Sequence, residues 1–180
     1  MKCGKMFQKL NQKFKKLEYT QKEEQISYGE VISYHNIHIK QGGVLYVIPR
    51  RYREDFTVSV MKIQDAVPPH TDSEIKCTIN FYIQPELCIT KFYRPLESYS
   101  EPLLTYQVEN QTNGFVYDKK HLVCTGNFIA QPGDAWLLDV TKIHAVDCIF
   151  PIKERIAITL GTDKHTYEEV KQMLHETGNL

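Results

Sequence analysis

A histidine and an aspartate two residues apart, His70 and Asp72, are the first side chains with the chemistry of a metal site. They follow Pro68 and Pro69, which favour extended backbone, and in a strand residues i and i+2 point to the same face. The two side chains could therefore bind one metal ion together. The motif alone has little weight, because about 0.3 such pairs are expected by chance in a chain of this composition.

A third candidate ligand, His144, follows the predicted strand 135–140, near an end of that strand where a site could open. Two imidazoles and one carboxylate form the facial triad of non-haem Fe(II) oxygenases, which leaves three positions free for a cosubstrate and O₂. Arg155 comes eleven residues later, at the start of an apolar strand where a charged side chain is unusual. Its planar guanidinium could grip a carboxylate inside a barrel.

The elements that must position these residues are mostly short strands. Apolar or β-branched segments of about six residues recur between turns from residue 26 onward, which favours an all-β sandwich or barrel. The predicted strands are 44–48, 56–60, 76–83, 88–93, 135–140 and 155–160. Residues 97–120 are polar and rich in tyrosine, so we expect a long loop or a hairpin there.

A helix is predicted at each end of the chain. Apolar residues recur at spacings of three and four from Phe7 to Leu17 with lysines between them, which predicts an amphipathic N-terminal helix. This helix either packs against the β core, which we favour, or docks as a basic helix on a membrane or nucleic acid. At the other end, Thr166 predicts the N-cap of a closing helix with acidic residues in its first turn.

Composition limits the class of protein. A length of 180 residues fits one domain, and a net charge of zero with 42% hydrophobic residues excludes a disordered chain or a uniformly basic nucleic-acid binder. The charge is uneven, since residues 1–22 hold seven lysines and one acidic residue. No membrane span is expected, and no apolar segment of a secretory signal follows the N-terminal lysines. Five scattered cysteines without a CxxC pair predict reduced thiols in a cytoplasmic protein.

Taken together, His70, Asp72, His144 and Arg155 resemble the HxD…H…R pattern of the 2-oxoglutarate- and Fe(II)-dependent oxygenases, and small phage-encoded members in particular. The resemblance covers about residues 56–162. It implies that this segment is a double-stranded β-helix, a jelly-roll or cupin-like barrel. Residues 1–55 would be a supporting helix and strands, and residues 163–180 a C-terminal helix of the same oxygenase domain.

The resemblance also implies roles for these side chains. His70, Asp72 and His144 would hold Fe(II), and Arg155 would pair with the distal carboxylate of 2-oxoglutarate. The reaction would consume O₂, release succinate and CO₂, and hydroxylate or demethylate a substrate. The substrate could be a small molecule, or a peptidyl or free amino-acid side chain.

One position departs from the family. Many members carry a hydroxyl residue two positions after the arginine, where this chain has Ala157. Asn80, Tyr82 or Thr159 could supply the missing contact to the cosubstrate. We favour Asn80, because a polar side chain in the middle of a strand needs a partner.

Two other functions stay open. A cupin-like module could hold Zn²⁺ or Mn²⁺ without oxygen chemistry, which the Pro-Gly-Asp turn at 132–134 and the later His144 would suit. An interaction protein could use the N-terminal lysines and the run Arg50–Arg53 to dock on an anionic partner such as nucleic acid. For that run we favour a solvated turn, because acidic residues follow it directly.

Overall fold

The computed structural model describes residues 6–14, 17, 19–28, 32–39, 43–96, 104–108, 111–149 and 153–180. In these ranges thirteen strands form two antiparallel sheets, and one α-helix lies near the C-terminus. The longest described helix has ten residues, and none in these ranges is long and apolar enough to cross a membrane.

The strands are listed here in their spatial order within each sheet. The seven-stranded sheet contains β1 (Phe7–Lys9), β11 (Ala135–Leu138), β6 (Cys77–Gln84), β13 (Arg155–Thr162), β4 (Thr57–Ile63), β3 (Ile32–Ile39) and β2 (Tyr19–Tyr28). The six-stranded sheet contains β10 (Leu122–Ile129), β7 (Cys88–Pro95), β12 (His144–Cys148), β5 (Val67–Asp72), β9 (Gln111–Val116) and β8 (Leu104–Val108). Helix α1 is Tyr167–Glu176, and 3₁₀ turns lie at Val44–Val47, Arg50–Asp55 and Lys119–His121.

The connections between the two sheets are those of a jelly roll. Strands β4 to β7 alternate between the sheets, β10 pairs with β7, and β11 to β13 alternate again. The expected mainly-β sandwich with a C-terminal helix is therefore confirmed, and every predicted strand from residue 56 onward corresponds to an observed one.

The central strands of the seven-stranded sheet are buried on both faces. On one face, Ile79 and Phe81 of β6 and Leu160 of β13 belong to the core that α1 covers. On the other face, Asn80 of β6 and Thr159 of β13 line a cavity between the sheets. Because strand side chains alternate, this pattern turns every second residue of β6 and β13 toward the cavity.

The prediction of an N-terminal helix is wrong. Residues Phe7–Lys9 form β1, which pairs with the edge of β11, and residues 10–14 are not helical. The apolar residues still pack on the barrel, since Phe7 stacks on Phe92 and Leu10 is buried in the core beside α1. In a helix, the backbone N–H and C=O groups of this segment would pair with one another, whereas here they pair with the open edge of β11. Local periodicity does not show that such an edge is available.

Two other segments differ from the sequence-based expectation or refine it. The apolar run 44–48 is a 3₁₀ turn rather than a strand. Within 97–120, β8 and β9 form a hairpin, and Gly114 lies inside β9 rather than in its turn. The closing helix is confirmed with a full capping box, in which Thr166 and Glu169 exchange side-chain to backbone hydrogen bonds.

Candidate metal centre

The cavity between the sheets brings together the four residues of the sequence motif. His70 and Asp72 are on β5, and His144 on β12 is the direct cross-strand partner of His70. Arg155 is the first residue of β13, in the opposite sheet. All four side chains line the same cavity.

Three of these side chains form a cluster that could hold a metal ion. One ligand atom from each of His70, Asp72 and His144 lies within 4.8 Å of the other two. The two imidazole rings have centroids 4.2 Å apart, and His70 Nε2 is 3.7 Å from Asp72 Oδ1. Two imidazoles and a carboxylate are a donor set for divalent transition metals.

The backbone orients both imidazoles for this role. His70 Nδ1 lies 2.8 Å from the carbonyl oxygen of Pro68, and His144 Nδ1 lies 2.9 Å from that of Lys142. A carbonyl oxygen only accepts hydrogen bonds, so each Nδ1 carries the proton and each Nε2 keeps its lone pair. A hydrogen bond from the ring nitrogen that does not bind the metal fixes the tautomer and orientation of a metal-binding histidine.

Burial shifts the pKa values of all three side chains in the cluster. It raises the pKa of Asp72 to about 7 and lowers the pKa of His70. The pKa of His144 is lowered to about 3, by burial first and then by the neighbouring His70. The imidazoles are therefore neutral near pH 7, and the carboxylate gains little from ionising unless a cation compensates for its lost hydration.

A glycine allows β9 to approach the backbone of β5 beside the candidate ligand Asp72. Gly114 of β9 is paired with Asp72 of β5, and a Cβ atom at residue 114 would lie 2.1 Å from the carbonyl oxygen of Thr71. No larger residue fits without moving one of the two strands. Gly114 is a supporting residue that the sequence shows only as part of an Asn-Gly pair.

At another part of the cavity, Arg155 is buried, and two of its three guanidinium nitrogens have no partner among the described residues. The residue is 1% exposed, its Nη2 donates to Thr90 Oγ1 at 2.9 Å, and its guanidinium lies 4.9 Å from the centroid of the Tyr82 ring. Its Nε and Nη1 have no hydrogen-bond partner among the described residues. A buried cation with unpaired N–H groups is unfavourable by itself, which points to an anion that would bind there.

Other unpaired polar atoms line the same cavity. Thr78 Oγ1, Asn80 Oδ1 and Thr159 Oγ1 are buried and have no partner within the described part of the chain. Buried polar groups of native proteins are almost always paired, so several of them around one cavity indicate a polar ligand.

Sequence reasoning missed Thr90. This residue is on β7 of the six-stranded sheet, 65 residues from Arg155, and the contact crosses between the sheets. The one available signal is a threonine among the buried alternate positions of β7. That signal identifies an inward-facing residue but not its partner.

The run Arg50–Arg53 contacts the protein itself. Arg51 forms a two-pronged ion pair with Glu176 of α1, with nitrogen to oxygen distances of 2.7 and 2.6 Å. Arg53 Nε donates to the carbonyl oxygen of Ile48 at 3.0 Å. These contacts agree with the interpretation of the run as a turn on the surface.

Two comparisons with known proteins find no match, and a third finds distant structural similarity. A scan against protein-family models gives no match, and a search of the curated proteins gives no significant one. Among solved structures, a hydroquinone 1,2-dioxygenase in complex with Cd²⁺ and 4-hydroxybenzonitrile has a TM-score of 0.38 and 8% identity, covering 60% of this chain and 58% of that one. Oxalate decarboxylase of Bacillus subtilis, which has Mn(II) centres, has a TM-score of 0.39 and 13% identity, covering 79% of this chain and 28% of that one. The chain thus spans less than two thirds of either structure, and at these TM-scores neither bears on its function.

Proposed function

We propose that this chain is a single-domain Fe(II)- and 2-oxoglutarate-dependent dioxygenase that hydroxylates or demethylates a substrate and releases succinate and CO₂. The main support is that one cavity contains both a His-Asp-His cluster and a buried arginine with unpaired N–H groups. 2-Oxoglutarate has a metal-chelating 2-oxo acid at one end and a carboxylate at the other, so its two ends match these two features.

The donor set fits Fe(II). His70, Asp72 and His144 would supply the two imidazoles and one carboxylate of a facial triad, which would leave positions open for a cosubstrate and O₂. When bound, the iron and the cosubstrate supply the oxidation chemistry. Burial keeps both imidazoles neutral, and their Nδ1–H bonds to the carbonyl oxygens of Pro68 and Lys142 leave Nε2 available.

Arg155 and Asn80 are proposed to bind the distal carboxylate. A carboxylate beside Arg155 would accept from Nε and Nη1, the two nitrogens without a partner among the described residues. Ala157 has no hydroxyl to contribute, and it is buried. The Asn80 side chain lines the same cavity, and an amide that rotates by half a turn presents its NH₂ group to a carboxylate.

The proposal is tested by succinate release. The protein, purified without metal and loaded anaerobically with Fe(II), is given 2-oxoglutarate and air, and succinate is measured by mass spectrometry. We expect slow turnover without any further substrate, and a loss of at least about 100-fold in His70→Ala, because one of three metal ligands is removed. His175→Ala, on the exposed end of α1, is the matched control and should keep the wild-type rate. If neither Fe(II) nor 2-oxoglutarate binds to the protein, the proposal is contradicted.

A module that holds a metal without oxygen chemistry is the second candidate, because the same three ligands also suit Zn²⁺ and Mn²⁺. Anaerobic titration of the Fe(II) protein with 2-oxoglutarate separates the two functions. A visible charge-transfer band supports the oxygenase, and Arg155→Met should shift the titration to higher 2-oxoglutarate concentrations. Metal binding with no band and no succinate supports the second candidate.

A further inference from the structure

Two cysteines that the proposed function does not use lie side by side inside the barrel. Cys88 on β7 and Cys148 on β12 are direct cross-strand partners, and their Sγ atoms are 3.0 Å apart. Both are free thiols. Directly opposed residues of antiparallel strands have Cα atoms about 4.5 or 5.5 Å apart, and both distances fall in the range that a disulfide spans.

The pair belongs to a ladder of inward-facing residues that ends at the candidate metal centre. Along β7 and β12 the pairs are Cys88 with Cys148, Thr90 with Val146, and Phe92 with His144. The cysteines are thus one step of the ladder from Thr90, which holds Arg155. Cys88 is 1% exposed, whereas Cys148 at the end of β12 is half-buried.

We propose that Cys88 and Cys148 are a modification site, at which a hydroperoxide converts the two thiols into a disulfide that joins β7 to β12. The more accessible Cys148 sulfur attacks the peroxide, becomes a sulfenic acid and releases an alcohol or water. The Cys88 sulfur then attacks the sulfenic sulfur, forms the S–S bond and releases water. In total, two thiols lose two electrons and two protons, and the peroxide O–O bond is reduced. This inference does not depend on the metal centre.

Burial sets the rate of the first step. The pKa of Cys148 is raised, mainly by burial and then by the neighbouring Cys88. The thiolate is the reactive form, so oxidation is slow at neutral pH and its rate rises with pH. The pair would therefore respond to prolonged exposure to peroxide rather than to a brief pulse.

The test is peroxide treatment of the full chain, followed by denaturation, alkylation and peptide mapping. We expect the wild-type protein to lose the mass of two hydrogen atoms and to give a linked peptide that contains Cys88 and Cys148. Closing a loop between residues 60 positions apart should also raise the melting temperature by about 5–10 °C, and a reductant should reverse the change.

Variants assign the linkage to this pair. In Cys148→Ser and in Cys148→Ala, Cys88 should stay fully alkylatable and the melting temperature should not rise. Cys124→Ser is the matched control, because Cys124 is exposed on β10, and it should behave like the wild type. The inference is wrong if wild-type Cys88 stays alkylatable while Cys148 becomes a sulfinic or sulfonic acid, or if the disulfide joins other cysteines.

Discussion

Two aspartates that lie at least partly inside this molecule, Asp134 and Asp72, have opposite surroundings. Asp134, in the turn before β11, has a fully buried side chain, with Lys9 Nζ at 2.8 Å, Lys13 Nζ at 3.7 Å and the backbone N–H of Gln131 at 3.0 Å. Asp72 has a side chain that is 27% exposed and faces His70 at 3.7 Å. Among the described residues, no lysine or arginine forms an ion pair with Asp72.

Their pKa values differ accordingly. Burial acts to raise the pKa of Asp134, but the Lys9 ammonium, the Gln131 N–H and Lys13 together lower it below its usual range. Burial raises the pKa of Asp72 to about 7, with no opposing cation. Asp134 thus has its cationic partners within the protein, and its ion pairs with Lys9 and Lys13 connect the N-terminal segment to the barrel. Asp72 lacks a cation, which is the condition of a side chain that binds one from outside.

The largest expected effect is on metal affinity. Asp72→Asn should weaken binding of Co²⁺, used as a stable probe, by at least about 100-fold, since altering residues that only support a ligand already costs 10–100-fold. Isothermal titration calorimetry measures the change. Asp134→Asn should bind Co²⁺ within about twofold of the wild type, provided it is folded, and equal losses in both variants would remove the distinction between the two aspartates.

Stability should respond to Asp134. Asp134→Asn should lower the free energy of unfolding by about 2–3 kcal/mol, because charge-assisted bonds to Lys9 and Gln131 are lost at a buried position. Urea unfolding at pH 7 measures it. Glu168→Gln, which breaks an exposed ion pair with Lys171, should change stability by less than about 0.5 kcal/mol. A similar small change for Asp134→Asn would show that its lysine contacts contribute little.

For Asp72 the effect on stability should have the opposite sign. A carboxyl whose pKa is raised in the folded state stabilises it fully below about pH 4, and this contribution is lost as the pH rises to about 7. Asp72→Asn should therefore make the metal-free protein more stable than the wild type by about 1–2 kcal/mol at pH 8, a figure reduced for partial exposure. The gain should shrink toward pH 4 and disappear when Co²⁺ saturates the wild type. The stability difference between Asp72→Asn and the wild type is measured from melting curves at pH 5 and pH 8. If this difference is the same at both pH values, burial of the Asp72 charge is not its cause.

The smallest expected effect concerns Arg155, which is buried and has N–H groups without a partner among the described residues. It is the cationic counterpart of Asp72, a partly buried acid without a cation. If the proposed function holds, Thr90→Val should raise KM for 2-oxoglutarate about fivefold with little change in kcat. The variant removes one bond that positions the guanidinium and leaves the arginine in place. Thr125→Val, whose hydroxyl bonds to the carbonyl oxygen of Phe92, is the control on the neighbouring strand. A drop in kcat at unchanged KM would mean that Thr90 acts elsewhere than on Arg155.

The jelly-roll strands and the candidate site were largely predictable from local sequence. Short runs of β-branched and aromatic residues between turns predict β6, β7 and β13. Because side chains on a strand point to alternate faces, His70 and Asp72 are expected on one side of β5. An arginine at the start of an apolar strand indicates a buried anion contact without knowledge of the fold, since a buried charge needs compensation.

The tertiary structure decided which distant residues meet. Local periodicity from Phe7 to Leu17 predicted a helix, but the open edge of β11 pairs with the chain as a strand and holds Lys9 beside Asp134. The contact between Thr90 and Arg155 and the approach of Cys88 to Cys148 depend on strand order and register. The sequence by itself determined which side chains face inward and what chemistry they carry. Their partners depend on pairing between strands far apart in the chain, which local spacing does not specify.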